Sequence, residues 1–196
     1  MLLFDLGGVV IDAVPFTKLL EWQCWTKDPQ ELQQKWGESL TAREYEEGSL
    51  STKEFVERIM DELELDVSVA RFLREYRLIP KGFYPGAAEL LDELGKAYTV
   101  ACFSNTNDLH WNKLCDVDRL EQHFAKRYAS HQIHETKPHE EAYRRVLRDL
   151  KCPAGAVAFF DDRADNVAAA KKLGIDAHQT RGFEALRAKL AELEIL

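Results

Sequence analysis

Short unbroken apolar runs alternate with stretches of helical spacing along most of this chain. Met1-Leu2-Leu3-Phe4, Tyr98-Thr99-Val100-Ala101-Cys102-Phe103 and Ala156-Val157-Ala158-Phe159-Phe160 are continuous rather than alternating, which is how strands read when both faces of a parallel sheet are covered. Ala87 to Leu94, Glu140 to Leu150 and Asp161 to Leu173 place apolar residues at helical intervals, and Gly174 closes the last of them. The pattern predicts an α/β fold with a parallel sheet between helical layers. One stretch departs from it. From about Pro15 to about Leu78 the chain is rich in Glu, Gln, Lys, Trp and Leu and poor in β-branched residues, which predicts a helical unit inserted after the first strand. Within it, Ser51 and Glu54 form a capping-box pair opening a helix whose apolar face includes Phe55, Ile59 and Leu63. The expected division is an α/β core of residues 1–14 and 79–196, interrupted by a helical unit of residues 15–78. Trp22, Trp25 and Trp36 read as core or contact residues of that unit.

Composition narrows the function. The chain has 196 residues, 45% hydrophobic and 31% charged, with a net charge of -8. That balance repels phosphate backbones and argues against a nucleic-acid partner. No apolar stretch approaches the roughly 18 residues a bilayer span requires, and the first apolar run reads into Asp5 without a basic leader, so a cytoplasmic location is expected. Cys24, Cys102, Cys115 and Cys152 are scattered and form no Cys-x-x-Cys pair, which points to free thiols. His131 and His134 lack a third ligand at zinc spacing and read as surface residues.

Polar groups stand at the ends of the three strands. Asp5 follows the first, with Gly7 and Gly8 next; Ser104 and Asn105 follow the second; Asp161 and Asp162 follow the Ala156 to Phe160 run. Parallel topology brings such ends to one edge of the sheet, where α/β proteins bind ligands. Lys137, before the helix from Glu140, is positioned to join them. Three carboxylates in one cleft repel each other unless a cation is present, and Mg²⁺ with oxygen ligands and a substrate phosphate answers that need. Ser104, neighbouring backbone N–H groups and Lys137 would then hold the phosphate oxygens. Asp161 and Asp162 taken alone would also serve as helix-capping carboxylates.

These residues resemble the haloacid dehalogenase superfamily over nearly the whole chain. Phe4-Asp5-Leu6-Gly7-Gly8-Val9-Val10 is similar to its first motif, Phe103-Ser104-Asn105-Thr106 to its second, Lys137-Pro138 to its third, and Phe159-Phe160-Asp161-Asp162-Arg163-Ala164-Asp165-Asn166 to its fourth. The resemblance implies a Rossmann-like fold with a small helical cap over the site, and a Mg²⁺-dependent phosphatase acting on a small phosphate ester. It implies Asp5 as a nucleophile that becomes an aspartyl-phosphate, Ser104, Asn105 and Lys137 on the phosphate, and Asp5, Asp161, Asp162 and the Gly7 carbonyl as magnesium ligands. The first, second and fourth motifs look most like a bacterial sugar-phosphatase branch that includes α-D-glucose-1-phosphate phosphatases. One position departs from the superfamily pattern. Most of its phosphatases carry a general-acid Asp two residues after the nucleophile, and Gly7 stands there instead, leaving the proton donor unidentified. A 2-haloacid dehalogenase and a weakly active phosphate-binding regulator are the competing readings.

Overall fold

The computed structural model describes residues 1–13 and 29–196. Strands β1 (Leu2–Phe4) and β2 (Ile11–Ala13) come first, followed by helices α1 (Pro29–Glu38), α2 (Leu40–Glu46), α3 (Thr52–Glu62) and α4 (Val69–Tyr76). Then come β3 (Pro80–Phe83), α5 (Ala87–Leu94), β4 (Val100–Ser104), α6 (Asp108–Asp116), α7 (Leu120–His123), β5 (Lys126–Ala129) and α8 (Ser130–Ile133). The chain finishes through α9 (Glu140–Leu150), β6 (Ala158–Asp161), α10 (Ala164–Lys172), β7 (Asp176–Gln179) and α11 (Phe183–Glu192).

Five strands make one parallel sheet in the order β5-β4-β1-β6-β7. The apolar runs are continuous because both faces are buried, and the two-residue period sorts them. Leu2, Phe4, Val100, Cys102 and Phe160 join Leu91, Trp111 and Leu186 in one core. Leu3, Ala101, Phe103 and Phe159 join Tyr143, Val146 and Val167 in the other. From the central β1 the sheet grows outward through β4 and β5, then returns to add β6 and β7 on the opposite side. That reversal opens a crevice at the carboxyl end of β1, where Asp5 stands.

The helices between β2 and β3 have an apolar cluster of their own. Phe55, Ile59, Leu63, Phe72 and Tyr76 are buried in it, and Tyr45 stacks on Phe55 at 4.0 Å between ring centroids. Helix α3 starts with the expected capping box of Ser51 and Glu54. Trp36 packs edge-on against Phe55, whereas Trp22, Trp25 and Cys24 lie outside the described residues. At the base of these helices β2 and β3 pair antiparallel, a pairing the hydrophobic pattern did not announce. Among the described residues no helix is long and apolar enough to cross a membrane. Cys102, Cys115 and Cys152 are free thiols. His131 is only partly exposed and packs against Trp111, which corrects its reading as a surface residue.

Candidate active site

Asp5 continues β1 by one residue, its N–H donating to the Phe160 carbonyl at 2.8 Å. The chain then turns sharply: the Leu6 carbonyl accepts from the N–H groups of Val9, Val10 and Ile11. Gly8 has φ +70, and a Cβ added there would lie 3.0 Å from Asp162 Oδ2. Glycine at this position therefore serves two ends, the left-handed turn and the close approach of the Asp162 carboxylate. Gly7 is different. A Cβ added to it meets nothing within 4 Å, so the space beside the nucleophile candidate is open.

Lys137 is the hub. Its buried ammonium lies 2.9 Å from Asp5 Oδ1 and 2.7 Å from Asp161 Oδ2, and donates to the Phe103 carbonyl at 2.8 Å. The Asn105 side chain clasps its backbone from both sides, accepting from the Lys137 N–H at 2.9 Å and donating to its carbonyl at 2.8 Å. Asn105 thus positions the lysine. Ser104 is buried, and its hydroxyl makes only a 3.4 Å contact with the Asn105 carbonyl, which leaves it free to turn toward a ligand.

The acidic pair divides its work. Asp161 ends β6 with no exposure; its two oxygens accept from the Arg163 N–H at 2.8 Å, from Asn166 Nδ2 at 3.0 Å each, and from Lys137. The helix expected from Asp161 begins at Ala164, with Arg163 in the capping position, so neither Asp161 nor Asp162 is an N-cap. Three ligand atoms, one each from Asp5, Asp161 and Asp162, lie within 4.8 Å of one another. Burial pushes the Asp5 carboxyl up to about 7, opposed by Lys137 and aided by Asp161 and Asp162. Asp162 is likewise raised, by burial first and by Asp161 next. A site that strains to keep its carboxylates charged fits a divalent cation, and the all-oxygen donor set suits Mg²⁺. Asp5, Asp161 and Asp162 each offer an oxygen that could hold such an ion, those of Asp161 already accepting hydrogen bonds.

Asp5, Gly7, Ser104, Asn105 and Lys137 line a cavity of 360 Å³, closed from the helical side by Trp36, Arg43 and Glu46. Glu46 and Arg163 were not singled out by the sequence, since a glutamate ending an amphipathic helix and an arginine in an acidic run look like ordinary surface charge. Only the packing of α2 over the sheet edge reveals them.

The plan is that of a Rossmann-like enzyme with an acidic, cation-demanding centre at its switch point. A match to the haloacid dehalogenase-like hydrolase family runs over residues 1–174, and the chain belongs to that family. D-ribitol-5-phosphate phosphatase of Bacteroides thetaiotaomicron is 26% identical over 194 residues, spanning 91% of this chain and 90% of that protein. A crystal structure of a family enzyme from the same organism, in complex with magnesium and inorganic phosphate, superposes with a TM-score of 0.77 at 25% identity, covering 92% of this chain and 93% of that one. A predicted family hydrolase from Porphyromonas gingivalis shares the fold at a TM-score of 0.78 and 21% identity, over 98% of this chain and 96% of that one.

Proposed function

We propose that this hydrolase is a Mg²⁺-dependent phosphatase of small sugar or polyol phosphates, working through an aspartyl-phosphate on Asp5. The observation that carries the reading is the grouping in one cavity of Asp5, held by the Lys137 ammonium, with Ser104 and the Gly7 opening. Lys137 and the Ser104 hydroxyl would hold the phosphoryl oxygens while the Asp5 carboxylate attacks phosphorus in line with the departing alkoxide. Water then cleaves the acyl-phosphate and restores Asp5. Asp5, Asp162 and the Gly7 carbonyl would hold Mg²⁺, which when bound offsets carboxylate repulsion and draws charge from the phosphoryl group. Asp161 supports the site by keeping Lys137 in place.

The phosphatase relative and the magnesium-and-phosphate complex of a similar enzyme support the reaction type. The helices α1 to α4 act as the cap: Trp36, Arg43 and Glu46 meet whatever extends from the phosphate. A 2-haloacid dehalogenase works without a metal and would have to take a carboxylate substrate beside the unneutralised cluster of Asp5, Asp161 and Asp162, which disfavours that reading. The test is phosphate release from D-ribitol 5-phosphate, hexose phosphates and 4-nitrophenyl phosphate, with Mg²⁺ and with EDTA. Magnesium-dependent release is expected; chelator-resistant halide release from a 2-haloacid without phosphate release would replace the reading.

A further inference from the structure

Departure of a sugar or polyol alkoxide requires a proton, and Gly7 offers none. Of the remaining groups on the cavity wall, Lys137 is tied to two carboxylates, Arg43 and Arg163 do not give up protons near neutral pH, and His139 is exposed. Glu46 is different. It is the last residue of α2, half-buried, on the same cavity wall as Asp5, Ser104 and Lys137. Among the described residues its carboxyl forms no hydrogen bond or ion pair.

Its neighbours on both sides are fastened to the core. Tyr45 stacks on Phe55, and its hydroxyl donates to Asp108 on α6, which also accepts from the Thr52 hydroxyl at 3.0 Å. On the other side the Glu47 carbonyl accepts from His134 Nδ1 at 2.9 Å, and Glu47 Oε1 accepts from the Thr136 hydroxyl at 3.3 Å. Gly48 then packs so closely that a Cβ there would lie 2.4 Å from the His131 carbonyl oxygen. The two anchors fix the backbone at Glu46, and its unpartnered carboxyl lies on the wall of the cavity that Asp5 also lines.

We propose that Glu46 is the general acid and base of this enzyme, a carboxyl supplied from α2 in place of the one missing at Gly7. This rests on the phosphatase reading of the site. As Asp5 Oδ forms its bond to phosphorus, the ester P–O bond breaks, its electron pair stays on the leaving oxygen, and that oxygen takes the Glu46 proton. The resulting Glu46 carboxylate accepts a proton from water as the water oxygen bonds to phosphorus and the P–O bond to Asp5 breaks. Atoms and charge balance, and both residues return to their starting states. Protonation of Glu46 near neutrality agrees with its surroundings. Burial pushes the carboxyl up to about 7, with Arg163 and Lys137 pulling down and Asp5 and Glu47 pushing up. Arg43 and His139 on the cavity wall and Tyr76 of α4 complete its ionisable surroundings.

The experiment compares kcat/KM of the wild-type protein and Glu46→Gln on two esters in saturating Mg²⁺. D-ribitol 5-phosphate has an alkoxide leaving group that needs a proton, whereas 4-nitrophenyl phosphate releases a stable phenolate that does not. Because kcat/KM reports only steps through formation of the aspartyl-phosphate, the later role as base does not blur the comparison. In kcat/KM, Glu46→Gln is expected to lose about 100- to 10,000-fold on the polyol ester and to stay within a few-fold on the aryl ester, with kcat lowered on both by loss of the base; circular dichroism checks that the variant folds. Equal losses of kcat/KM on both esters, or none on either, would overturn the assignment of Glu46 and leave the phosphatase reading standing. If the wild-type protein cleaves neither ester, the phosphatase reading fails and the role of Glu46 fails with it.

Discussion

The Lys137 ammonium lies 2.7 Å from Asp161 Oδ2, and neither side chain is more than 1% exposed. Removing one partner of a buried pair leaves the other charge unpaired, at a cost of about 3–5 kcal/mol. Here the same lysine also faces Asp5, so Lys137→Met strips both carboxylates at once. Urea unfolding in EDTA should show a loss of that size, together with loss of phosphate release. A loss under about 1 kcal/mol would mean that the carboxylates are neutral in the metal-free protein.

Metal should stabilise the fold and compete with protons. A ligand bound only by the folded state at a concentration of 100 times its Kd adds about 2.7 kcal/mol, and Asp162→Asn should abolish most of the gain. Metal binding requires ionised carboxylates, and burial pushes the Asp5 carboxyl up to about 7. Magnesium affinity should therefore fall as the pH drops below about 7. Titration calorimetry at several pH values checks this; a flat affinity from pH 8 to about 5.5 would contradict the burial-driven shift of Asp5.

Gly48 tests the seating of α2 without touching the cavity. At φ +73, with the His131 carbonyl oxygen 2.4 Å from the position a Cβ would take, Gly48→Ala forces both backbone strain and a shift of one element. A destabilisation of about 1–3 kcal/mol is expected. The variant should also lose more kcat/KM on a polyol phosphate than on an aryl phosphate, because Glu46 moves with the helix end. Unchanged thermal stability would refute the close packing.

Much of this arrangement could be read from the chain, and the missing parts share a physical cause. Asp5, Ser104, Asp161 and Asp162 were legible because each ends or follows a strand whose unbroken apolar run announces it, and Lys137 by its place just before the helix from Glu140. Helices such as Glu140–Leu150 were legible by their period. The pairing of β2 with β3 was not, because strands as short as Ile11–Ala13 carry little pattern. Strands β5 and β7 escaped for a related reason: Lys126–Ala129 and Asp176–Gln179 lie at the sheet edges, where exposed polar residues dilute the apolar signal. Glu46 escaped because its meaning is tertiary, set by anchors on Asp108, Thr136 and His131 that lie far along the sequence.

A partly buried histidine gives the protein an acid sensitivity separate from the active site. His110 accepts at Nδ1 from the Asn107 side chain and donates from Nε2 to the Tyr76 carbonyl at 2.8 Å, so it packs neutral, and burial pushes it down to about 4. The unfolded chain binds this proton at higher pH than the folded one. Stability is therefore complete above about 6.5, the ordinary histidine value, and is lost as the pH falls toward 4. The loss across that window is on the order of 2–3 kcal/mol. His110→Gln should flatten the decline of Tm between those pH values, even if it lowers Tm at neutral pH; an unchanged slope would assign the acid lability to other groups.

A phosphoryl group carried on Asp5 can be observed directly. The protein turning over 4-nitrophenyl phosphate in Mg²⁺ is quenched in acid, digested, and its peptides analysed by mass spectrometry, beside Asp5→Asn treated identically. One added phosphoryl group is expected on the peptide that contains Asp5 in the wild-type protein, none in Asp5→Asn, and no phosphate release by that variant above background. Phosphate release by a folded Asp5→Asn at near wild-type rate, with no phosphoryl adduct at residue 5 in either protein, would contradict the aspartyl-phosphate.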